Sequence, residues 1–197
     1  MIKVTGISGS PKKYGNTEKL LDSFLEGAES AGAATEKILL KKMKYRSCQG
    51  CNACHKTGYC VITDDLTEIF EKIMNETDIL VLASPIYSMS ITAEMKAFID
   101  RGQYLWARKF IKKDLVFDEE HLKTHKGVFV STAGQDIKNV FDAAHPVVRA
   151  FFNDAGFEYY KDINVHGMDK YKGIDGHPSA LTYAYGEGKK IVSELSK

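Results

Sequence analysis

Ile79-Leu80-Val81-Leu82-Ala83 is an unbroken apolar run of strand length. A strand that avoids water on both faces has to lie inside a sheet covered on both sides. Around it the chain alternates short apolar runs with segments of helical period. Ile2, Val4 and Ile7 mark a first strand, followed by a helix over about 17–31 on which Leu20, Leu21, Phe24, Leu25 and Ala28 recur, with Gly32 as its C-cap. A second strand is expected over 35–40. Asp65 and Glu68 then resemble a capping box, opening a helix whose apolar face is Leu66, Ile69, Phe70, Ile73 and Met74. Beyond the 79–83 strand the pattern predicts a helix over about 92–108, a strand over 127–132 and a helix over about 139–155. A fifth strand over 158–165 and a helix over 180–195 close the chain, while residues 109–125 carry no clear period. Five strand-then-helix steps predict an α/β fold: an open, doubly wound parallel sheet with helices on both faces. No repeat, low-complexity segment or linker divides residues 1–197, which are read as one domain.

In such a sheet ligands gather beyond the carboxyl ends of the strands, at the switch point. The loops after the first, third and fourth strands, 8–17, 85–90 and 132–135, therefore form one predicted site. The first is rich in Gly, Ser and Lys and runs directly into a helix. Its backbone N–H groups and the positive end of that helix can converge on one anion. It lacks the Lys-Ser/Thr ending of a Walker A loop and the Gly-x-Gly-x-x-Gly of a dinucleotide fold, which disfavours ATP or NAD as the tightly held ligand. The plain alternative is a β-to-α turn capped by Asn16 and Thr17.

All four cysteines fall between positions 48 and 60, within a stretch over 41–63 that shows no period. A loop of that length is commonly functional. The N-terminus enters a strand with no signal-peptide pattern, so a cytoplasmic location is expected, and there crowded cysteines point to metal or redox use rather than disulfides. The spacing Cys48-x2-Cys51-x2-Cys54-x5-Cys60 lets one loop wrap a small group, with Gly50 and Gly58 permitting tight turns. Thiolates suit iron–sulfur clusters or zinc. Zinc sites draw on two separated knuckles, which favours iron–sulfur. Free or partly oxidised thiols in a packing loop are the bland alternative. Lys41, Lys42, Lys44 and Arg46 form a neighbouring basic run, read as a solvated face or a dock for an acidic electron carrier. His55 is read as an exposed neighbour, and the remaining histidines have no ligand spacing.

Gly9-Ser10-Pro11-Lys12-Lys13 and Gly15-Asn16-Thr17 after the first strand, with Ser84-Pro85-Ile86-Tyr87 after the third, resemble the flavodoxin-like NADPH-dependent FMN reductase superfamily. The resemblance implies a five-stranded sheet in the order 2-1-3-4-5 and FMN as cofactor. It implies an FMN phosphate held at Ser8, Ser10, Pro11, Lys12, Asn16 and Thr17. The isoalloxazine ring would meet Pro85, Ile86, Tyr87, Ser88 and Met89 on one loop and Thr132, Ala133 and Gly134 on the other. The cysteine spacing is similar to that of archaeal-type iron–sulfur flavoproteins, which implies a [4Fe-4S] cluster on Cys48, Cys51, Cys54 and Cys60. The likeness covers roughly the first 110 residues well and only general architecture beyond. It further implies a homodimer or homotetramer, in which Tyr104 and Trp106 either line a neighbour's flavin or sit in the core.

The expected function is therefore an FMN-dependent oxidoreductase that passes electrons between cluster and FMN to a small acceptor, fed by a ferredoxin-like carrier or NAD(P)H. One alternative is a cluster-free NAD(P)H-dependent reductase of quinones, nitro compounds or metals. The other is a zinc-knuckle module that reads single-stranded nucleic acid or a partner protein. A net charge of +1 and the lack of a basic aromatic strip argue against nucleic acid. No apolar run is long enough for a membrane span.

Overall fold

The computed structural model describes residues 1–196. Five parallel strands form one sheet: β1 Lys3–Ser8, β2 Ala34–Leu39, β3 Ile79–Pro85, β4 Lys126–Thr132 and β5 Glu158–Val165, in the order β2-β1-β3-β4-β5. The helices are α1 Asn16–Ser30, α2 Cys54–Thr57, α3 Asp65–Glu76, α4 Ala93–Arg101, α5 Gln103–Trp106, α6 Glu119–Thr124, α7 His145–Ala155 and α8 Ala180–Leu195. Every residue of β3 is buried, as the apolar run requires of the central strand. The period of two along the strands divides the core in half. Leu80, Leu82, Ile7 and Phe129 face α3, α4 and α7, meeting Leu66, Phe70, Phe98 and Phe151. Val81, Ala83, Val4 and Val128 face α1 and α8, meeting Leu21, Phe24, Ile191 and Val192. Among the described residues no helix is long and apolar enough to cross a membrane.

β5 and α8 have the predicted bounds, and the other strands and α1 lie within one or two residues of theirs. Local contacts explain the departures. α3 is capped one residue early: Asp64 Oδ1 accepts from the Leu66 N–H at 3.1 Å, and Thr67 Oγ1, not Glu68, accepts from the Asp64 N–H at 3.3 Å. The helix predicted over 92–108 breaks at Gly102, where a Cβ would stand 2.7 Å from the Phe151 ring. It resumes as α5 and a π-helical turn over Ala107–Lys112, which ends at Lys113 with φ +57°. The helix predicted from 139 starts at His145, because Asn139 has φ +63° and Pro146 occupies the first turn. The 41–63 stretch contains a 3-10 turn at Leu40–Lys42 and the short helix α2.

His121 and His125 on α6 stack with ring centroids 3.7 Å apart, and His121 Nε2 lies 3.0 Å from the Gly156 carbonyl. Burial, with His125 beside it, pushes the His121 pKa below the usual histidine value. The unfolded chain therefore binds more protons than the folded one in and just below the ordinary histidine range, so stability rises with pH there. Lowering the pH from about 7 to about 5 is expected to lower the thermal midpoint, and His121→Gln to flatten that dependence. An equally steep midpoint-against-pH curve in the variant would assign the effect elsewhere.

Candidate functional site

The carboxyl ends of β1, β3 and β4 are joined by buried hydroxyls. Ser8, Ser10, Thr17, Ser84, Thr92, Ser131 and Thr132 are all no more than 4% exposed. Ser131 Oγ donates to the Ser84 carbonyl at 2.7 Å, and Ser84 Oγ accepts from the Thr92 N–H at 3.0 Å. Thr92 Oγ1 then donates to the Gly9 carbonyl at 2.7 Å, and the Gly9 N–H donates to Ala83 at 2.8 Å. Thr17 Oγ1 and Thr132 Oγ1 lie 2.5 Å apart. A Cβ on Gly9 would stand 2.7 Å from the Met95 Cβ, so only glycine lets the β1–α1 loop approach α4 this closely. Ser84, Thr92 and Ser131 were outside the predicted set; Ser84 belongs to the Ser-Pro-Ile-Tyr motif, whereas no sequence spacing singles out Thr92 or Ser131.

The predicted β1–α1 residues come together. Ser8 Oγ accepts from the Ser10 N–H at 3.4 Å, and Ser10 Oγ donates to the Lys12 carbonyl at 3.3 Å. Pro11 and Lys12 are exposed at the loop's tip. α1 begins after Gly15 with no side chain capping it, which leaves first-turn N–H groups aimed at the loop, as in an anion site. Asn16 Oδ1 accepts from the Ile174 N–H at 3.0 Å. Behind this turn, buried Glu18 accepts from the Tyr14 N–H at 3.0 Å and pairs with Lys41 at 3.0 Å and Lys37 at 3.3 Å. Burial alone would raise its pKa; the lysines and the Tyr14 N–H outweigh it and hold the carboxyl below its usual value. Lys41 thus leaves the basic run as a structural partner of α1, whereas Lys42, Lys44 and Arg46 remain exposed.

On the β3 side, Tyr87 and Ser90 exchange backbone hydrogen bonds at 2.9 and 3.1 Å across a turn in which Ser88 and Met89 have φ +49° and +68°. This turn holds Tyr87 and Met89 outward, 51% and 46% exposed, so neither is a core residue. Pro85 ends β3 opposite Thr132, and the Ile86 N–H donates to the Thr132 carbonyl at 2.9 Å. Ala133 and Gly134 are held from behind by a segment that sequence reading missed: the Met168 and Asp169 N–H groups donate to their carbonyls at 3.1 and 2.9 Å.

The cysteine loop leaves the carboxyl end of β2, beside β1. Positive φ at Gly50, Asn52 and Gly58 turns it, and Cys54 opens α2. Cys48, Cys51, Cys54 and Cys60 are free thiols that line one cavity together with Arg101, Gln103 and Tyr104. Among the described residues no three His, Cys, Asp or Glu side chains are drawn into a metal-binding arrangement. The donor set, four thiols on one cavity, nonetheless has the chemistry of a thiolate-held metal group. Burial, with three neighbouring thiols, pushes the Cys54 thiol up, a repulsion that a bound cation would relieve. His55 is half-buried rather than exposed, its ring tilted against Trp106 at 5.9 Å. Tyr104 packs edge-on to Phe70 at 5.6 Å. Both aromatics of the α5 turn therefore pack within this chain.

A parallel sheet wound 2-1-3-4-5, with hydroxyl-rich and glycine-rich loops at its carboxyl edge, defines a flavodoxin-like α/β protein. Solved structures share that fold. An azoreductase from Bacillus anthracis superposes with a TM-score of 0.67 at 15% identity, covering 98% of this chain and 100% of that one. A flavodoxin from the domain Archaea gives 0.59 at 12% identity, with both chains fully covered. Residues 2–150 match the model of the NADPH-dependent FMN reductases, and the chain belongs to that family. An iron-sulfur flavoprotein of Archaeoglobus fulgidus is 44% identical over 100 residues, 51% of this chain and 45% of the relative. One from Methanosarcina thermophila is 38% identical over 115 residues, 58% of this chain and 60% of the relative. The chain spans about half the length of the curated relatives it matches.

Proposed function

We propose that this chain is an FMN-dependent electron-transfer oxidoreductase that also carries a [4Fe-4S] cluster on Cys48, Cys51, Cys54 and Cys60. The observation that carries the reading is the gathering of four thiols on one cavity, in a loop that leaves the same sheet edge as the uncapped start of α1. When bound, FMN supplies hydride and single-electron chemistry and the cluster single-electron chemistry. The chain's residues bind and orient. Ser8, Ser10, Lys12, Asn16 and Thr17 hold the phosphate, and Pro11 shapes their turn. The 85–89 and 132–134 loops would offer backbone groups to the ring, and the exposed Tyr87 and Met89 side chains would be free to pack on it. Electrons arrive from NAD(P)H or a ferredoxin-like carrier and leave to a small acceptor. A second reading, a cluster-free NAD(P)H-dependent reductase, is favoured by the family that residues 2–150 match.

Protein purified without exposure to air separates the two. The first reading expects a brown preparation with about four iron and four acid-labile sulfide per FMN. A yellow, iron-free preparation that turns over NADPH would establish the second. Colourless protein holding only zinc would end both. Within either, Ser10→Ala combined with Lys12→Ala is expected to weaken FMN binding by about 1–3 kcal/mol, since charge-assisted hydrogen bonds to the phosphate are lost. Flavin fluorescence titration reads this as a rise in Kd of about 5- to 150-fold. An unchanged Kd would remove the phosphate from this loop.

A further inference from the structure

Arg101, the last residue of α4, is 2% exposed. Its Nη1 donates to the Arg46 carbonyl at 2.8 Å and to Asp64 Oδ2 at 2.6 Å, and its Nη2 donates to the Ile62 carbonyl at 3.0 Å. Arg46 stands two residues before Cys48, and Ile62 two residues after Cys60. One guanidinium therefore fastens both ends of the cysteine loop. Two donors remain, the second Nη2–H and the Nε–H, and the Nε atom is buried without a hydrogen-bond partner among the described residues. Orphaned buried N–H groups are rare and costly. Arg101 lines the same cavity as the four thiols. Burial opposes its charge, but Asp64 and the adjacent Cys60 outweigh burial and keep the guanidinium protonated. Lysine could carry the charge but not the fixed fork that holds two carbonyls while a third N–H points elsewhere.

We infer that Arg101 is a positioning residue of the cysteine site: it clasps the loop by its two ends and gives its Nε–H to the Cys60 sulfur once the site is loaded. The inference rests on the cluster reading proposed above. Fastened ends lower the entropy lost in bringing four thiolates together. A hydrogen bond and a positive charge at the sulfur both favour the more negative, reduced form of a cluster and so raise its potential.

The test compares anaerobically purified wild-type protein with Arg101→Lys and Arg101→Gln, following iron and sulfide per chain, circular dichroism and the reduction midpoint by EPR-monitored titration. Both variants are expected to hold iron about 10- to 100-fold less tightly against a chelator. Both midpoints should move to more negative potential, further for Gln than for Lys, which keeps the charge. A loaded wild type whose variants match it in midpoint and iron retention overturns the inference alone. A wild type that takes up no iron and sulfide overturns the cluster reading, and this inference with it. Should neither variant fold, wild-type protein labelled with 15N-arginine decides. Of its four arginines only Arg101 is buried, and Arg108, whose Nε–H donates to Asp114 at 3.1 Å, is told apart with Arg108→Lys protein, so the remaining slowly exchanging Nε–H is that of Arg101. A shift of that resonance on cluster assembly supports the hydrogen bond, and an unmoved resonance overturns it.

Discussion

Cys51→Ala protein, prepared without air, is expected to contain no [4Fe-4S] cluster and yet to retain one FMN per chain. The expectation follows from where the loop puts this thiol. Cys51 is exposed and stands between Gly50 and Asn52, both at positive φ, so its side chain supports no packing. Its removal deletes one of four ligands and little else. Cys54 is the poorer choice, since it is buried at the start of α2 and its truncation would disturb packing as well as ligation. The measurement is iron, sulfide and flavin per chain, with the absorption spectrum. Loss of iron with full flavin assigns the thiol to the cluster. Loss of both cofactors together would make the cysteine loop a structural part of the flavin site, and retained iron would exclude Cys51 as a ligand.

The second large effect concerns folding. Gly27→Ala is expected to destabilise the protein by about 1–3 kcal/mol or more, and Gly188→Ala by a similar amount. On α1, a Cβ at Gly27 collides with the Tyr185 carbonyl oxygen of α8; on α8, a Cβ at Gly188 collides with the Phe24 carbonyl oxygen of α1. The obstacles are backbone, so no rotamer change relieves them and the helices must separate. Inside an ordinary helix the same substitution stabilises by about 1 kcal/mol, which makes the sign itself diagnostic. Urea unfolding of both single variants and the double variant tests this. The double is expected to cost less than the sum, because the first substitution already parts the helices. Midpoints at or above wild type would refute backbone-to-backbone packing.

The fold was legible where burial writes a period. The 79–83 run announced the central strand, and the alternation of strands and helices pointed to an open parallel sheet covered on both faces, while the order 2-1-3-4-5 came only with the family resemblance. Residues whose work is done across the sheet left no such trace. Thr92, predicted only as the start of a helix, caps α4 and also ties the β1 loop to it. Arg101 fell inside the helix predicted over 92–108, and nothing local tells that it reaches positions 46, 62 and 64. Gly102 and Asn139 broke predicted helices through a contact with Phe151 and a left-handed backbone that periodicity does not register. The candidate site followed the same rule. Its loops were found because glycine, serine and proline mark turns, whereas the 168–169 segment behind Ala133 and Gly134 was not, since its contribution is made through main-chain N–H groups that any residue possesses.

The Asn16 bond to Ile174 joins the start of α1 to a part of the chain past residue 150, where the family match stops. The N-terminal loop thus has its foundation in the C-terminal quarter. Cutting the chain at 150 would strip α8 from α1 and remove the Ile174 N–H that holds Asn16, leaving the turn between β1 and α1 without its outer support.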